Sequence, residues 1–203
     1  MGTSRDAKLT DEIPKKVGQR GDMVGNLALL ILRAIVGSLM LGHGAQKLFG
    51  WWGGYGLGGT SAWLESMGLR PGRLWAILAG GSEFGGGVLS LLGLLNPVGP
   101  LGIIGAMATA ARKAHWGKPI WVTEGGPELP VTNISIAMAL MLAGPGKYSL
   151  DRALGIRLPR WISLLGLVVI SIMVAFAAKM EPPTQEGAEQ AREELQAEDE
   201  DRQ

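Results

Sequence analysis

The chain of 203 residues contains no cysteine. It therefore cannot carry out dithiol–disulfide exchange by itself, hold zinc through thiolates or ligate an iron–sulfur cluster through cysteine. Positive charge is not in excess either, because 19 Lys and Arg residues face 18 Asp and Glu residues, for a net charge of +1. Nucleic-acid-binding proteins present a basic stripe or patch, so this composition predicts no nucleic-acid partner.

Charge is scarce in the middle of the chain. Twenty of the 37 charged residues fall within residues 1–23 and 181–203, which leaves seventeen for the 157 residues between them. That number is too small to solvate a globule of this size. The distribution predicts a polar N-terminal tail over 1–23, an acidic, disordered tail over 181–203 and an apolar body between them.

The apolar body divides into five stretches. A membrane-spanning helix needs ~20 predominantly apolar residues, and the stretches that reach or approach this length are 24–49, 74–95, 98–114, 129–143 and 161–178. Gly and Pro, which end helices, lie between them. The predicted fold is an all-α, polytopic membrane helix bundle. A cluster of small residues at 79–87 favours close helix packing.

The connectors give a weaker signal. Tryptophans lie at the ends of the stretches, where indole rings prefer the membrane interface. Residues 60–69 are expected to form a short interfacial helix with Thr60 or Ser61 as N-cap and with Trp63, Leu64 and Met67 facing lipid. Lys and Arg in the N-terminal tail and the fourth connector favour a cytoplasmic N-terminus.

Two ionisable residues lie inside the apolar stretches. Arg33 is near the middle of the first stretch and Glu83 is near the middle of the second. A charge in hydrocarbon costs at least ~2.5–3.5 kcal/mol on insertion scales and normally faces a partner or a cavity. We therefore predict an intramembrane ion pair between Arg33 and Glu83. Whether the pair only locks two helices together or lines a polar cavity for a ligand or for protons stays open.

A second polar group lies nearer the membrane surface. His43, Gln46 and Lys47 share one helix face because they are spaced i, i+3 and i+4. His115 is expected at the same depth, with Glu128 in the following connector. These five residues form a candidate polar or quinone site. The chain has neither a His-x-x-x-His nor a Glu-x-x-His pair, so no metal site is predicted, and no catalytic residue is assigned.

Four segments, spread from about residue 29 to residue 151, resemble the DoxX family of small bacterial membrane proteins. They are Leu32-Arg33 with Gly37 and the HGAQKLFG sequence at 43–50, EFGGG at 83–87 with LGLL at 92–95, GGPE at 125–128, and GPGKYSLD at 144–151. The resemblance implies a four-helix bundle over 24–151, to which this chain adds a fifth C-terminal transmembrane helix at 161–180. The family residues that match are Arg33, His43, Lys47, Glu83, Glu128 and the 144–151 turn.

The resemblance also directs the functional hypothesis. Members are named after a small subunit associated with a terminal quinol oxidase and with thiosulfate:quinone oxidoreduction. The first hypothesis is thus a subunit or accessory of a quinone-linked redox complex in the bacterial cytoplasmic (inner) membrane. If the chain takes part in an enzyme, it does so without a redox centre of its own and with no covalent cofactor evident. Quinone would be the ligand, with His43, Lys47 and His115 as donors and Glu83 or Glu128 relaying protons.

Two other function classes stay open. One is a non-catalytic membrane scaffold, and the other is a small transporter or lipid-binding bundle, which glycine-rich spans with buried charges would also suit. The expected partners are the lipid bilayer and redox proteins. Assembly of the chain with copies of itself is left open.

Overall fold

The computed structural model describes residues 3–182 and Thr184, with side chains from residue 21 onward. These residues contain helices and no strand. The α-helices are α1 (Thr3–Phe49), α2 (Gly56–Ser66), α3 (Gly72–Leu92), α4 (Val98–Ala114), α5 (Glu128–Ala143), α6 (Leu150–Leu154) and α7 (Trp161–Lys179). Two single 3₁₀ turns lie in the connectors, at Trp51–Gly53 and Val122–Glu124. The predicted all-α membrane bundle is confirmed.

Within the part of the chain that the structure describes, three helices are long and apolar enough to cross a membrane. They are Gly21–Phe49 within α1, Gly72–Leu92 and Trp161–Lys179. At ~1.5 Å per residue the 21 residues of α3 reach about 31 Å, the thickness of a hydrocarbon core. α4 and α5 have 17 and 16 residues and pack among the longer helices. The chain is therefore a multi-pass membrane protein.

The N-terminal segment of the chain differs from what its sequence predicts. α1 begins at Thr3, so its helix runs through most of the segment for which the charge distribution predicts a polar tail. The predicted acidic tail over 181–203 lies outside the described residues, apart from Glu181, Pro182 and Thr184.

The bundle is organised around α1, α3 and α4. α1 packs along α3, α3 packs along α4, and α4 carries α5 on one side and α7 on another. A core cluster joins α1, α4 and α5 through Val36, Met40, Ile103, Ala137 and Leu140. The outward side chains of α7 are apolar and exposed, including Leu164, Leu165, Val168, Ile172 and Phe176. This is the surface that a lipid-facing helix presents.

Glycines bring α1 and α3 into backbone contact. A Cβ atom on Gly37 would lie 2.8 Å from the backbone nitrogen of Leu91 and 2.9 Å from the carbonyl oxygen of Gly87. One on Gly44 would overlap the backbone nitrogen of Phe84 and lie 2.7 Å from the carbonyl oxygen of Gly80. The small residues at 79–87 therefore serve close helix packing, as the sequence indicates.

α2 forms the predicted short connector helix, but it starts earlier and faces inward. It begins at Gly56 and has no side-chain cap, so neither Thr60 nor Ser61 is an N-cap. Thr60 is buried and its hydroxyl donates to the carbonyl oxygen of Lys47. Leu64 is buried in a cluster with Trp75, and Met67 packs on that cluster. Of the three side chains expected to face lipid, only Trp63 is exposed, because α2 folds back onto α3.

Candidate functional site

Glu83 of α3 is the most deeply buried carboxylate among the described residues, with 1% of its surface exposed. Its Oε1 accepts a hydrogen bond from Nζ of Lys47, in the last turn of α1, and the two groups form a salt bridge. Oε2 is buried and has no hydrogen-bond partner. The ion pair therefore neutralises the carboxylate but satisfies only one of its two oxygens.

The predicted ion pair between Arg33 and Glu83 is wrong. Nη2 of Arg33 donates to the carbonyl oxygen of Tyr148, and Nε and Nη1 are buried without a partner. A Cβ atom on Gly93 would overlap Nη1 of Arg33, so Arg33 lies level with the end of α3. Glu83 is ten residues from Gly93, about 15 Å along the helix axis. That distance is beyond the reach of the arginine side chain.

Arg33 contacts the connector that leads into α6 through the carbonyl oxygen of Tyr148. Asp151 in α6 is a second buried carboxylate. Its Oδ1 and Oδ2 accept from the backbone nitrogens of Leu95 and Asn96, both at 2.8 Å, and its own nitrogen donates to Gly93 at 3.0 Å. The Asp151 carboxylate thus holds the connector after α5 against the turn between α3 and α4. In the sequence, Asp151 is marked only as the last residue of the 144–151 turn that resembles the family.

Asp151→Asn should lower the free energy of unfolding by about 2 kcal/mol. An amide has one acceptor oxygen, so one of the two backbone N–H groups would lose its acceptor and face an NH₂ group, at a cost of roughly 1–3 kcal/mol. Thermal unfolding in detergent, followed by the loss of helical circular dichroism, measures the change. Arg152→Gln is a matched control, because Arg152 is exposed beside it. Equal effects of the two substitutions would contradict the role of Asp151.

The polar group predicted nearer the membrane surface does not assemble into one site. His43 is exposed and Gln46 packs against Gly54. Nδ1 of His115 donates to the carbonyl oxygen of Gly125 at 2.6 Å, and Glu128 accepts from the backbone nitrogen of Val122 at 2.9 Å. Both therefore brace the connector between α4 and α5.

Among residues 21–182 no group of three His, Asp or Glu residues is placed to hold a metal ion.

An apolar cavity of about 330 Å³ reaches the Lys47–Glu83 pair. α4 supplies a floor of small residues, α3 and α7 form the sides, and α2 covers one end. The lining includes Ala79, Ser82 and Glu83 of α3; Gly102, Gly105, Ala106, Thr109 and Ala110 of α4; Gly166, Val169, Ile170 and Met173 of α7; and Trp63, Met67 and Trp75. Of the five residues in the predicted polar site, only Lys47 lines this space.

The cavity opens sideways, toward the region where lipid would lie. α7 packs mainly on α4, and near its end Ala177 joins the cluster that contains Trp75 and Ala76 of α3. The opening lies between α3 and α7, away from that cluster. Leu78 and Val169 line the cavity from these two helices and are 39% and 47% exposed. The mouth of the cavity therefore has exposed apolar side chains on both sides.

The far end of the cavity is held by Lys113 near the end of α4. Its Nζ donates to the carbonyl oxygen of Met180 at 2.6 Å, just after α7. Lys113 also lines the cavity. The contact ties the last turn of α7 to α4 and so fixes the wall that α7 provides. Sequence reasoning missed Lys113, Ser82 and Thr109, because no motif connects them to the buried charges.

Comparison with known proteins relates part of the chain to a family. Residues 28–116 match the family model described as DoxX. No curated protein and no solved structure matches the chain. The matched residues contain Arg33, Lys47 and Glu83 but neither Asp151 nor α7. The carboxylate end of the cavity is therefore a feature of the matched domain, and the wall from α7 lies beyond it.

Proposed function

This chain is a membrane protein of the DoxX family, and from that premise we propose that it is an accessory subunit of a quinone-linked redox complex in the bacterial cytoplasmic membrane. In this proposal its intramembrane cavity holds the quinone head group. One observation carries the proposal, namely the apolar cavity that opens toward lipid and ends at the buried Lys47–Glu83 pair.

The size and lining of the cavity support a small amphipathic ligand. Ligand pockets commonly measure ~300–1,000 Å³ and combine apolar walls with a few placed polar groups. The cavity lies at the lower end of this range, which fits a substituted ring whose isoprenoid tail stays in the bilayer. The gap between α3 and α7 is the path along which such a tail would leave.

The redox chemistry itself is assigned to a partner. The sequence has no cysteine to ligate an iron–sulfur cluster, and the histidines and carboxylates of the described residues do not converge on a metal site. The proposed role of this chain is therefore to bind the quinone and orient it. The Glu83 carboxylate at the inner end would accept a proton there.

The ligand-binding proposal predicts that Ala79→Phe removes copurified quinone. Ala79 lines the cavity, so a phenylalanine ring would fill the space that the head group needs. We expect the quinone per mole of purified protein to fall about tenfold or more, which corresponds to ~1.4 kcal/mol of binding free energy. The measurement is organic extraction and chromatography after purification in mild detergent.

Ile77→Phe is the control for this experiment. Ile77 lies two residues away on α3, is 47% exposed and does not line the cavity. It should retain its quinone. Native protein that carries no quinone, or equal losses in the two variants, would count against the proposal.

A non-catalytic scaffold is the second candidate function, favoured by the structural use of the buried charges. Lys47–Glu83 joins α1 to α3, and Arg33 and Asp151 tie α1, α3 and the connector after α5 together. Alanine at His43 and His115 does not distinguish the two functions, since neither residue lines the cavity. Blocking the cavity does, because a scaffold should keep its partners in the Ala79→Phe variant.

A further inference from the structure

A second cavity, of about 490 Å³, lies at the end of the bundle where α3 ends and α4 begins. It is lined by Asn26 of α1, by the turn between α3 and α4, and by the connector that leads from α5 to α7. The lining includes three basic residues, Lys147, Arg152 and Arg157, and one acidic residue, Asp151. This polar cavity shares no residue with the apolar cavity described above.

The three basic residues of the polar cavity lack counter-ions in the described part of the chain. Within residues 21–182 none of them forms a salt bridge. Both carboxylate oxygens of Asp151 accept from backbone nitrogens of the turn between α3 and α4, at 2.8 Å. The lining thus carries three positive charges against one negative charge. Like charges around one cavity repel each other, so a bound anion would stabilise this arrangement.

Backbone hydrogen bonds place the basic residues around the polar cavity. The nitrogen of Lys147 donates to Oδ1 of Asn26 on α1 at 2.6 Å. The nitrogen of Ile156 donates to the carbonyl oxygen of Asp151 at 2.9 Å and so positions the chain next to Arg157. The side chains of Lys147 and Arg157 are exposed and take no part in these bonds. Their charges can therefore be removed without disturbing the contacts that hold the connector.

The polar cavity lies at the depth of the lipid head groups. Its connector runs from the end of α5 at Ala143 to Trp161, the first residue of α7. Helix ends mark the membrane interface, and indole rings prefer it; Trp161 is 59% exposed. Leu142 and Leu154 add exposed apolar side chains at the same end of the bundle. An anion held here can thus carry acyl chains that lie against the protein.

We propose that the polar cavity binds the phosphodiester head group of an anionic membrane lipid. Basic pockets between transmembrane helices recognise such head groups, and guanidinium groups bind phosphate oxygens in pairs. Lys147, Arg152 and Arg157 supply the donors. A zwitterionic lipid carries an ammonium group beside its phosphate, and that group would face the same three positive charges. The site therefore selects a lipid of net negative charge.

Binding of two lipids to the native full-length chain tests this selection. Delipidated protein in a neutral detergent is titrated with phosphatidylglycerol or with phosphatidylcholine of the same acyl chains, and native mass spectrometry counts the lipids bound. The first phosphatidylglycerol should bind about tenfold more tightly than the first phosphatidylcholine. Soluble glycerol phosphate, added as a competitor, distinguishes a lipid head group from a free phosphate ester and should not displace the lipid.

Three variants assign the binding to the polar cavity. Arg157→Gln and Lys147→Gln should each weaken the binding of phosphatidylglycerol about fivefold, the effect of one basic side chain near anionic lipid. Arg160→Gln is the matched control, because Arg160 is exposed in the same connector but does not line the cavity. Its affinity should match that of the native chain. All three variants should keep the helical circular dichroism of the native chain, since the replaced side chains are exposed.

Each contrary result overturns a defined part of the proposal. Equal affinity for the two lipids overturns the selection of an anionic head group. Equal losses in Arg157→Gln and Arg160→Gln would mean attraction to the charged surface as a whole, which overturns the cavity as the site. Displacement of the lipid by glycerol phosphate at similar concentration overturns the lipid as the occupant. None of these results bears on the quinone proposal, because other residues form that cavity.

Discussion

Gly44→Ala is expected to lower the free energy of unfolding by about 3 kcal/mol, the upper end of the usual cost of overpacking. The added methyl group would overlap the backbone nitrogen of Phe84 and lie 2.7 Å from the carbonyl oxygen of Gly80. Both obstacles are backbone atoms, so no side chain can rotate away. The helices α1 and α3 would have to separate, and the contact between Lys47 and Glu83 would be stretched with them.

Gly42→Ala and Gly81→Ala are the controls for this prediction. A Cβ atom at either position meets nothing within 4 Å, and alanine favours a helix over glycine by ~1 kcal/mol. Both variants should be as stable as the native chain or slightly more stable. Thermal unfolding in one detergent, followed by helical circular dichroism, compares the three. A Gly44→Ala protein as stable as these controls would contradict the close approach of α1 and α3.

Hydropathy alone is sufficient to predict where the helices of the apolar body lie. It marks residues 98–114 and 161–178 as apolar stretches, and the helices found there are Val98–Ala114 and Trp161–Lys179. Long apolar segments have few alternatives in a membrane, because their backbone groups must pair within the segment. The existence and order of the helices therefore follow from the apolar composition of the stretches and from the Gly and Pro residues between them.

The register between helices does not follow from hydropathy. The expectation that Arg33 meets Glu83 rests on the middle of each apolar stretch, which fixes depth only loosely. The observed register is set where glycines let the backbones approach, with Gly37 against Leu91 and Gly44 against Phe84. That register carries Glu83 to the level of Lys47.

Side-chain orientation within the predicted polar face is also beyond what the sequence can specify. Spacing places His43 and Lys47 on a common side of α1, but it does not say which part of that side enters the bundle. The helix is buried through Gly44 and Ala45, and His43 stays exposed. The cavity also depends on the packing of α7 against α4. The sequence of a uniformly apolar helix does not specify which neighbouring helix it will contact.

Removing the charge of Lys47 should destabilise the bundle more than either Gly44→Ala or Asp151→Asn does. Lys47→Met leaves the Glu83 carboxylate buried without its counter-ion, and breaking such a pair costs ~3–5 kcal/mol. Replacing both partners avoids this cost, because an apolar pair of similar volume leaves no buried charge. The double variant Lys47→Met/Glu83→Leu should therefore be more stable than Lys47→Met alone.

A double-mutant cycle turns this expectation into a measured coupling between two residues. Unfolding in detergent is compared for the native chain, Lys47→Met, Glu83→Leu and the double variant, and a coupling of roughly 3 kcal/mol is expected for groups in contact. The parallel cycle with Arg33→Met and Glu83→Leu should be additive within ~0.5 kcal/mol, since distant sites without shared partners act independently. Strong coupling in the Arg33 cycle and additivity in the Lys47 cycle would mean that Arg33, and not Lys47, is the counter-ion of Glu83. The glycine register of α1 and α3 would then be wrong as well, because one register cannot place both cations at Glu83.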